Sequence, residues 1–431
     1  MAILRMENPV RNYDWGSVTE IPRLAGVENS GGKPVAELWM GAHPGAPSAV
    51  MQNGRGVSLA ELIAHDPERW IGGTVTRKFG ARLPFLFKVL SAARALSIQA
   101  HPNQAQAARG FARENEAGIP LDAPDRSYRD DNHKPELIRA LTRFFALRGF
   151  RPYRDILKEL SVPEFDFLHE PVAAMRRRPD GRGLAALFEA LMRSEAPRVA
   201  DAARRWASRA TEEAADTVDT DGGTAEDGRY TWVLRLYEQF GEDRGIAAPL
   251  FLNVVELAPG EAMFLPAGTL HAYLEGTAVE LMANSDNVLR GGLTRKHVDI
   301  EELLRILVFE PDEPVVRRAG NGTAADNVRG GRGGVGGGAG RWRRHAVSVE
   351  EFSLEEADVS GALERSRRRG TPEIVLPIGG EIMLEESDGR EGRLRLSSGR
   401  SAFVTAETGS YRVSGDALVF VATVPLEGEP S

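Results

Sequence analysis

The apolar positions of this chain fall into blocks of different period. From residue 1 to about 150, short apolar runs are cut by turn-forming residues, as in "LPFLFKVLSA" (Leu83 to Ala92) and "ALSIQAH" (Ala95 to His101). Runs of this length bounded by small residues predict β-strands. From 151 to about 240 the period changes. "GLAALFEALMR" places Leu184, Leu187, Phe188 and Leu191 at helical spacing, and the strong helix formers of "PRVADAARRWASRATEEAA" follow. From 246 the short runs return, punctuated by Pro-Gly, Pro-Ala-Gly and Asn-Ser-Asp-Asn. Residues 343–431 continue with "PEIVLPIGG", "GRLRLSS", "SAFVTA" and "ALVFVATVP". Closely spaced short strands with turns predict a barrel or sandwich. The expected organisation is a β unit from 1–150 and 246–318, a helical domain at 151–245, and a second β unit at 343–431.

Two stretches read as connections. Ala215 to Gly228 is acidic and contains glycine; it lacks the spacing of a calcium loop and reads as a surface loop. Residues 320–340 hold 10 glycines in 21 positions, so 319–342 is expected to be a flexible linker. Within it, Gly331 to Gly336 matches the dinucleotide pattern G-x-G-x-x-G. No strand precedes that match and no helix follows, so the mechanism behind the pattern is missing.

Composition narrows the function. With 431 residues, 42% hydrophobic and 27% charged, the chain has material for more than one globular core. The net charge is -8, which argues against a nucleic-acid partner. The basic runs Arg176 to Arg178 and Arg367 to Arg369 are isolated and read as solvated surface. There is no cysteine, so disulfide and thiolate metal sites are excluded. The first residues lack a secretory pattern, and no apolar run is long enough for a membrane span. A soluble, cytoplasmic, monomeric protein is expected.

The chemistry gathers around histidines. "GEAMFLPAGTLHAYLE" spaces Gly260, Pro266, Gly268 and His271 as the second signature of cupin barrels does. One imidazole holds a metal poorly. Upstream, Gln99 and His101 stand two residues apart on a strand-like run and therefore share a face. Glu136 follows Pro135, whose ring stiffens the segment. Two imidazoles, a carboxylate and an amide oxygen suit one zinc ion, with Gln99, His101, Glu136 and His271 as ligands. Lys88, Lys134, Arg290 and Lys296 lie near these residues in sequence. Cations beside a metal call for an anion, which points to a phosphorylated small-molecule substrate. His43 and Glu37 are read as structural.

The stretches "NYDWGS", "KPVAELWMGAHPGAPS", "LPFLFKVLSAARALSIQAHPN", "YRDDNHKPEL" and "PAGTLHAYLEGTAVELMANSDNVLRGGLTRKHVD" resemble type I mannose-6-phosphate isomerases, in the family's order. The resemblance implies two cupin-like barrels with a helical insertion. It places the zinc ligands on Gln99, His101, Glu136 and His271 and an active-site arginine on Arg290. It adds Lys88, His133, Lys134, Tyr273, Glu280 and Lys296 to the pocket. The glycine-rich linker and the motif-poor C-terminal block depart from the family pattern.

The activity so implied is interconversion of mannose 6-phosphate and fructose 6-phosphate through a cis-enediol. Zinc would serve as Lewis acid and template, Glu280 as proton carrier, Arg290 as charge stabiliser, and Lys134 in ring opening or proton traffic. Lys88 and Lys296 are options for phosphate, with His133 and Tyr273 as further substrate contacts. An iron oxygenase would be expected to show three histidines and a glutamate, and Gln99 replaces one of them. A sugar-sensing barrel would not need a complete metal shell.

Overall fold

Alternation along the strand Phe85–Ala92 shows how the core is divided. Phe85, Phe87 and Val89 pack to one side with Leu137, Val279 and Leu281. Leu90 and Ala92 pack to the other with Ile138, Ala140 and Ala278. Successive side chains of a strand point to opposite faces, so a run covered on both faces reads as continuously apolar.

The computed structural model describes residues 3–52, 54–216, 228–320, 340–367, 369–387 and 392–425. Most of the acidic segment (217–227) and the centre of the glycine-rich stretch (321–339) lie outside the described residues. The fold is mainly β, with two antiparallel sheets and helices between and around them. One sheet runs Val316–Arg318, Glu261–Leu265, Glu136–Ala140, His271–Ala283, Phe85–Ala92, Glu37–Gly41, Val10–Arg11. Ile98–Ala100 and Phe144–Phe150 pair with the first part of His271–Ala283. Leu289–Gly292 and Leu252–Leu257 extend the sheet beyond them.

The second sheet is built around the long strands Ser353–Arg365, Glu373–Glu386 and Tyr411–Thr423. The N-terminal strand Ile3–Glu7 joins it, with Ile3 opposite Val404 and Met6 opposite Val50. The physical reason is burial: Leu4 and Met6 enter the cluster shared by the two sheets, with Phe352, Leu376 and Phe420. The second sheet therefore packs on the reverse of the strands that carry the candidate site.

Between Phe144–Phe150 and Leu252–Leu257 the described residues are mainly helical. The helix Gly181–Arg193 starts at Asp180, whose side chain accepts from the amides of Arg182 and Gly183. Its residues Leu184, Leu187, Phe188 and Leu191 are buried against Leu147, Phe150 and Ala272 of the first sheet. Helices also occur in the first block, at Leu59–His65, Pro67–Ile71, Gly73–Phe79 and Gln104–Glu116. Among the described residues no helix is long and apolar enough to cross a membrane.

Candidate metal centre and active site

Short segments deliver the candidate ligands to one place. Gln99 is the middle residue of Ile98–Ala100. It stands opposite His271 on one neighbouring strand and opposite Arg290 on the other. Directly opposed residues share a face. His101 follows the strand, and its carbonyl accepts from the Gly268 amide at 2.8 Å. Gly268 has φ of +77°, and a Cβ there would meet the Ile306 carbonyl at 2.9 Å. Glycine thus lets the Pro-Ala-Gly turn pack against Ile306 and Val308 while its amide reaches His101. Glu136 opens the strand Glu136–Ala140, opposite Met282 and Leu265.

Glu136 Oε1 lies 3.2 Å from His101 Nε2, and Oε2 lies 3.3 Å from His271 Nε2. All three residues are buried. His101 Nδ1 is 2.7 Å from the Asn287 carbonyl, and His271 Nδ1 is 2.9 Å from the Thr269 carbonyl. A carbonyl only accepts, so each Nδ1 carries the proton and each Nε2 offers a lone pair. Two lone pairs then face a carboxylate, and His101 Nε2 has no hydrogen-bond partner. The arrangement is repulsive unless a cation lies among them. Backbone carbonyls that fix the tautomer are also how metal-binding imidazoles are oriented. Burial, reinforced by Lys134, brings His101 down to about 4, so its ring is neutral at pH 7. Burial raises the Glu136 carboxyl, but the Lys134 ammonium beside it holds it well below the usual range. The donor set therefore fits a borderline metal ion such as zinc.

A buried charge chain backs these ligands. Lys88 Nζ is 2.9 Å from Glu280 Oε2 and 3.5 Å from Glu37 Oε1. Burial pulls the ammonium down, but Glu280 and Glu37 raise it above its ordinary value. Burial also raises the Glu280 carboxyl, against the pull of Lys88. The Tyr273 hydroxyl donates to Glu136 at 3.3 Å. Burial and the charges of Glu136 and Glu280 push its phenol well up, so it stays a donor. Lys134 Nζ stands 3.3 Å from Glu136 Oε1.

On the flank lie the cations Arg290, Lys296 and Arg129. Burial and then Arg129 lower Arg290; burial, Arg290 and Arg129 lower Lys296. Among the described residues no carboxylate enters either balance. Burial raises the Asp286 carboxyl, and Arg129 in turn joins His43 and Lys134 in holding it low.

The structure thus brings His101, Glu136 and His271 together, sets Gln99 and Arg290 beside them, and links Lys88, Lys134, Tyr273 and Glu280 to them through charge contacts. His133 lies further out, with Nε2 2.7 Å from Glu351 Oε1. Three groups were missed from sequence: Arg129, Glu351 and Asp286. Asp286 Oδ1 is 3.3 Å from His43 Nε2. Burial raises its carboxyl, but His43 and Lys134 hold it low. Arg129 had a signal, since it lies in the same "YRDDNHKPEL" stretch as Lys134 and Glu136. Glu37, read as structural, supports the chain by accepting from Lys88 and from Trp39 Nε1.

A buried, thiolate-free pair of imidazoles around a carboxylate, flanked by cations, has the make-up of a metal-dependent enzyme site. Residues 3–153 match the family model "Phosphomannose isomerase type I, catalytic domain". The chain is 40% identical over 415 residues to the mannose-6-phosphate isomerase of Escherichia coli (strain K12), covering 95% of this chain and 97% of that one. It is 34% identical to the Schizosaccharomyces pombe enzyme of the same name, covering 89% and 90%. A solved mannose 6-phosphate isomerase in its zinc-bound holo form superposes with a TM-score of 0.82 at 37% identity, over 99% of this chain and 100% of the other. The chain belongs to the type I mannose-6-phosphate isomerase family, and with it to the isomerases.

Proposed function

We propose that this chain interconverts mannose 6-phosphate and fructose 6-phosphate, with one zinc ion held by Gln99, His101, Glu136 and His271. The observation that carries the reading is the pair of Nε2 lone pairs facing buried Glu136, beside a cationic flank. When bound, zinc supplies Lewis-acid polarisation of substrate oxygens. Arg290, Lys296 and Arg129 take the phosphate. Lys88 is engaged by two carboxylates, so its charge serves to hold Glu280 and Glu37 rather than to bind phosphate.

The reaction moves one proton between carbons 1 and 2 of the open-chain sugar. A base removes the carbon 2 proton of the aldose while the carbon 1 oxygen gains one, giving a cis-enediol. The proton returns to carbon 1 as the carbon 2 hydroxyl loses its own. Glu280 is the assigned base. Burial raises its carboxyl, and a raised carboxyl suits proton exchange near neutral pH. One observation favours a second reading. The Glu280 side chain is only 3% exposed, whereas Asp286 is 51% exposed and lies beside His43 and within reach of Lys134. Asp286 is the base if substrate does not reach Glu280. Lys134 takes part in ring opening, and Tyr273 and His133 contact substrate.

We read the two sheets as cupin-like, jelly-roll barrels. The proposed division is a catalytic barrel from 1–150 and 246–318, a helical domain at 151–245, a linker at 319–342 and a degenerate barrel at 343–431, with Ile3–Glu7, Ala49–Gln52 and Arg55–Ser58 lent to the last. We place the enzyme in the cytoplasm as a monomer, with no membrane or nucleic-acid partner. A coupled assay on mannose 6-phosphate tests the function. Zinc-loaded protein that forms no fructose 6-phosphate overturns it.

A further inference from the structure

We propose that Glu351, in the C-terminal block, is a positioning residue for His133, so that this block completes the active site. This assignment rests on the reading of His133 as a substrate contact. Glu351 Oε1 is 2.7 Å from His133 Nε2, across 218 residues of sequence. Glu351 is buried, and its neighbours fix it there. Phe352 and Val347 are buried in the cluster between the sheets, with Leu83, Phe85 and Leu137, and Val349 packs against it. The carboxylate is thus presented from a packed segment rather than from a mobile loop tip.

Burial pushes the Glu351 carboxyl up, but the hydrogen bond and charge of His133 and nearby backbone amides hold it below its usual value. An ionised carboxylate only accepts, so Nε2 of His133 carries a proton and Nδ1 is the ring atom left for another partner. The backbone is held separately: the His133 amide donates to Gln104 Oε1 at 3.3 Å, and Gln104 Nε2 donates to the Asp131 carbonyl at 2.7 Å. Main chain and ring are therefore fixed by different elements, in the segment that also carries Lys134 and Glu136. A carboxylate that sets the tautomer and orientation of an imidazole is a recurring catalytic device.

The experiment compares steady-state kinetics, zinc content and melting temperature for Glu351→Ala, Glu351→Gln, His133→Asn and the double variant His133→Asn/Glu351→Ala. Glu351→Ala is expected to lower kcat roughly 10- to 100-fold with zinc content unchanged, as loss of an orienting partner does. The double variant is expected to be no slower than His133→Asn alone, because the two act as one unit. Glu351→Gln keeps the volume, so it decides the matter if the alanine variant does not fold; its kcat is expected to fall about fivefold at an unchanged melting temperature. The assignment is overturned if Glu351→Gln and Glu351→Ala stay within about twofold of the parent kcat, or if the two penalties multiply in the double variant. If His133→Asn alone keeps full activity, the underlying reading of His133 fails. If His133→Asn is slow and the Glu351 variants are not, only the assignment of Glu351 fails.

Discussion

Lys88 Nζ stands 2.9 Å from Glu280 Oε2, on directly opposed positions of Phe85–Ala92 and His271–Ala283. Strand alternation sends both side chains to the face that carries Glu136, and neither strand can withdraw one without moving its apolar neighbours. The pair is nearly inaccessible to water. Removing one partner leaves buried charge uncompensated. Lys88→Met strands both Glu280 and Glu37, and we expect a stability loss of about 3–5 kcal/mol. Chemical denaturation measures it. As a control, Arg143→Gln breaks the exposed pair with Glu256 and is expected to leave the midpoint unchanged. Equal midpoints for Lys88→Met and the parent would contradict the account.

The identity of the proton carrier is read by isotope exchange. Glu280→Gln is expected to retain its zinc but to lose exchange of solvent deuterium into carbon 2 of the substrate. Asp286→Asn is expected to keep that exchange. The reverse pattern assigns the base to Asp286.

In the proposed function Arg129 belongs to the cation group that takes the phosphate. Arg129→Gln removes a charged donor to a dianion, so KM for mannose 6-phosphate is expected to rise roughly 10- to 100-fold with kcat little changed. A fall in kcat at constant KM would place Arg129 elsewhere in the mechanism.

Some of this was legible in the sequence, and the rest was not for definable reasons. Gln99 and His101 are separated by one strand period, and the Pro-x-Gly-x-x-His spacing before His271 is local, so both could be read directly. Arg129 lay within a stretch already singled out, but its place, like that of Asp286, is set by contacts that no local pattern shows. Asn287 Oδ1 accepts from the Arg129 amide at 2.7 Å, and Asp130 Oδ2 accepts from the Asp286 amide at 2.7 Å. Glu351 comes from the far end of the chain. The strand Ser353–Arg365 escaped notice because "SLEEADVSGALER" is rich in acidic and small residues, although Leu354, Ala357 and Val359 are buried. The N-terminal strand looked like part of the first block because sequence order says nothing of which sheet a strand joins.

The junction of the two sheets carries its own pH dependence. Glu356 accepts from Arg139 Nε at 2.8 Å and lies 3.4 Å from His345 Nε2. Burial pushes its carboxyl up, but His345 and then Arg139 bring it down to about 2. A folded pKa below the unfolded one adds stability that is complete above the ordinary carboxylate range and is lost as pH falls towards 2. The contribution is about 3 kcal/mol. Melting temperature against pH, from about 5 down to about 2.5, is expected to be flatter in Glu356→Gln than in the parent. Identical slopes would remove Glu356 from the acid response.

In the proposed function His101, Glu136 and His271, with Gln99, hold a zinc ion on which turnover depends. The most direct measurement of this is isomerase activity after exhaustive dialysis against a chelator, followed by stoichiometric addition of zinc. Activity is expected to be lost on dialysis and to return at one zinc per chain. Full turnover by protein shown to be free of metal would contradict the zinc assignment.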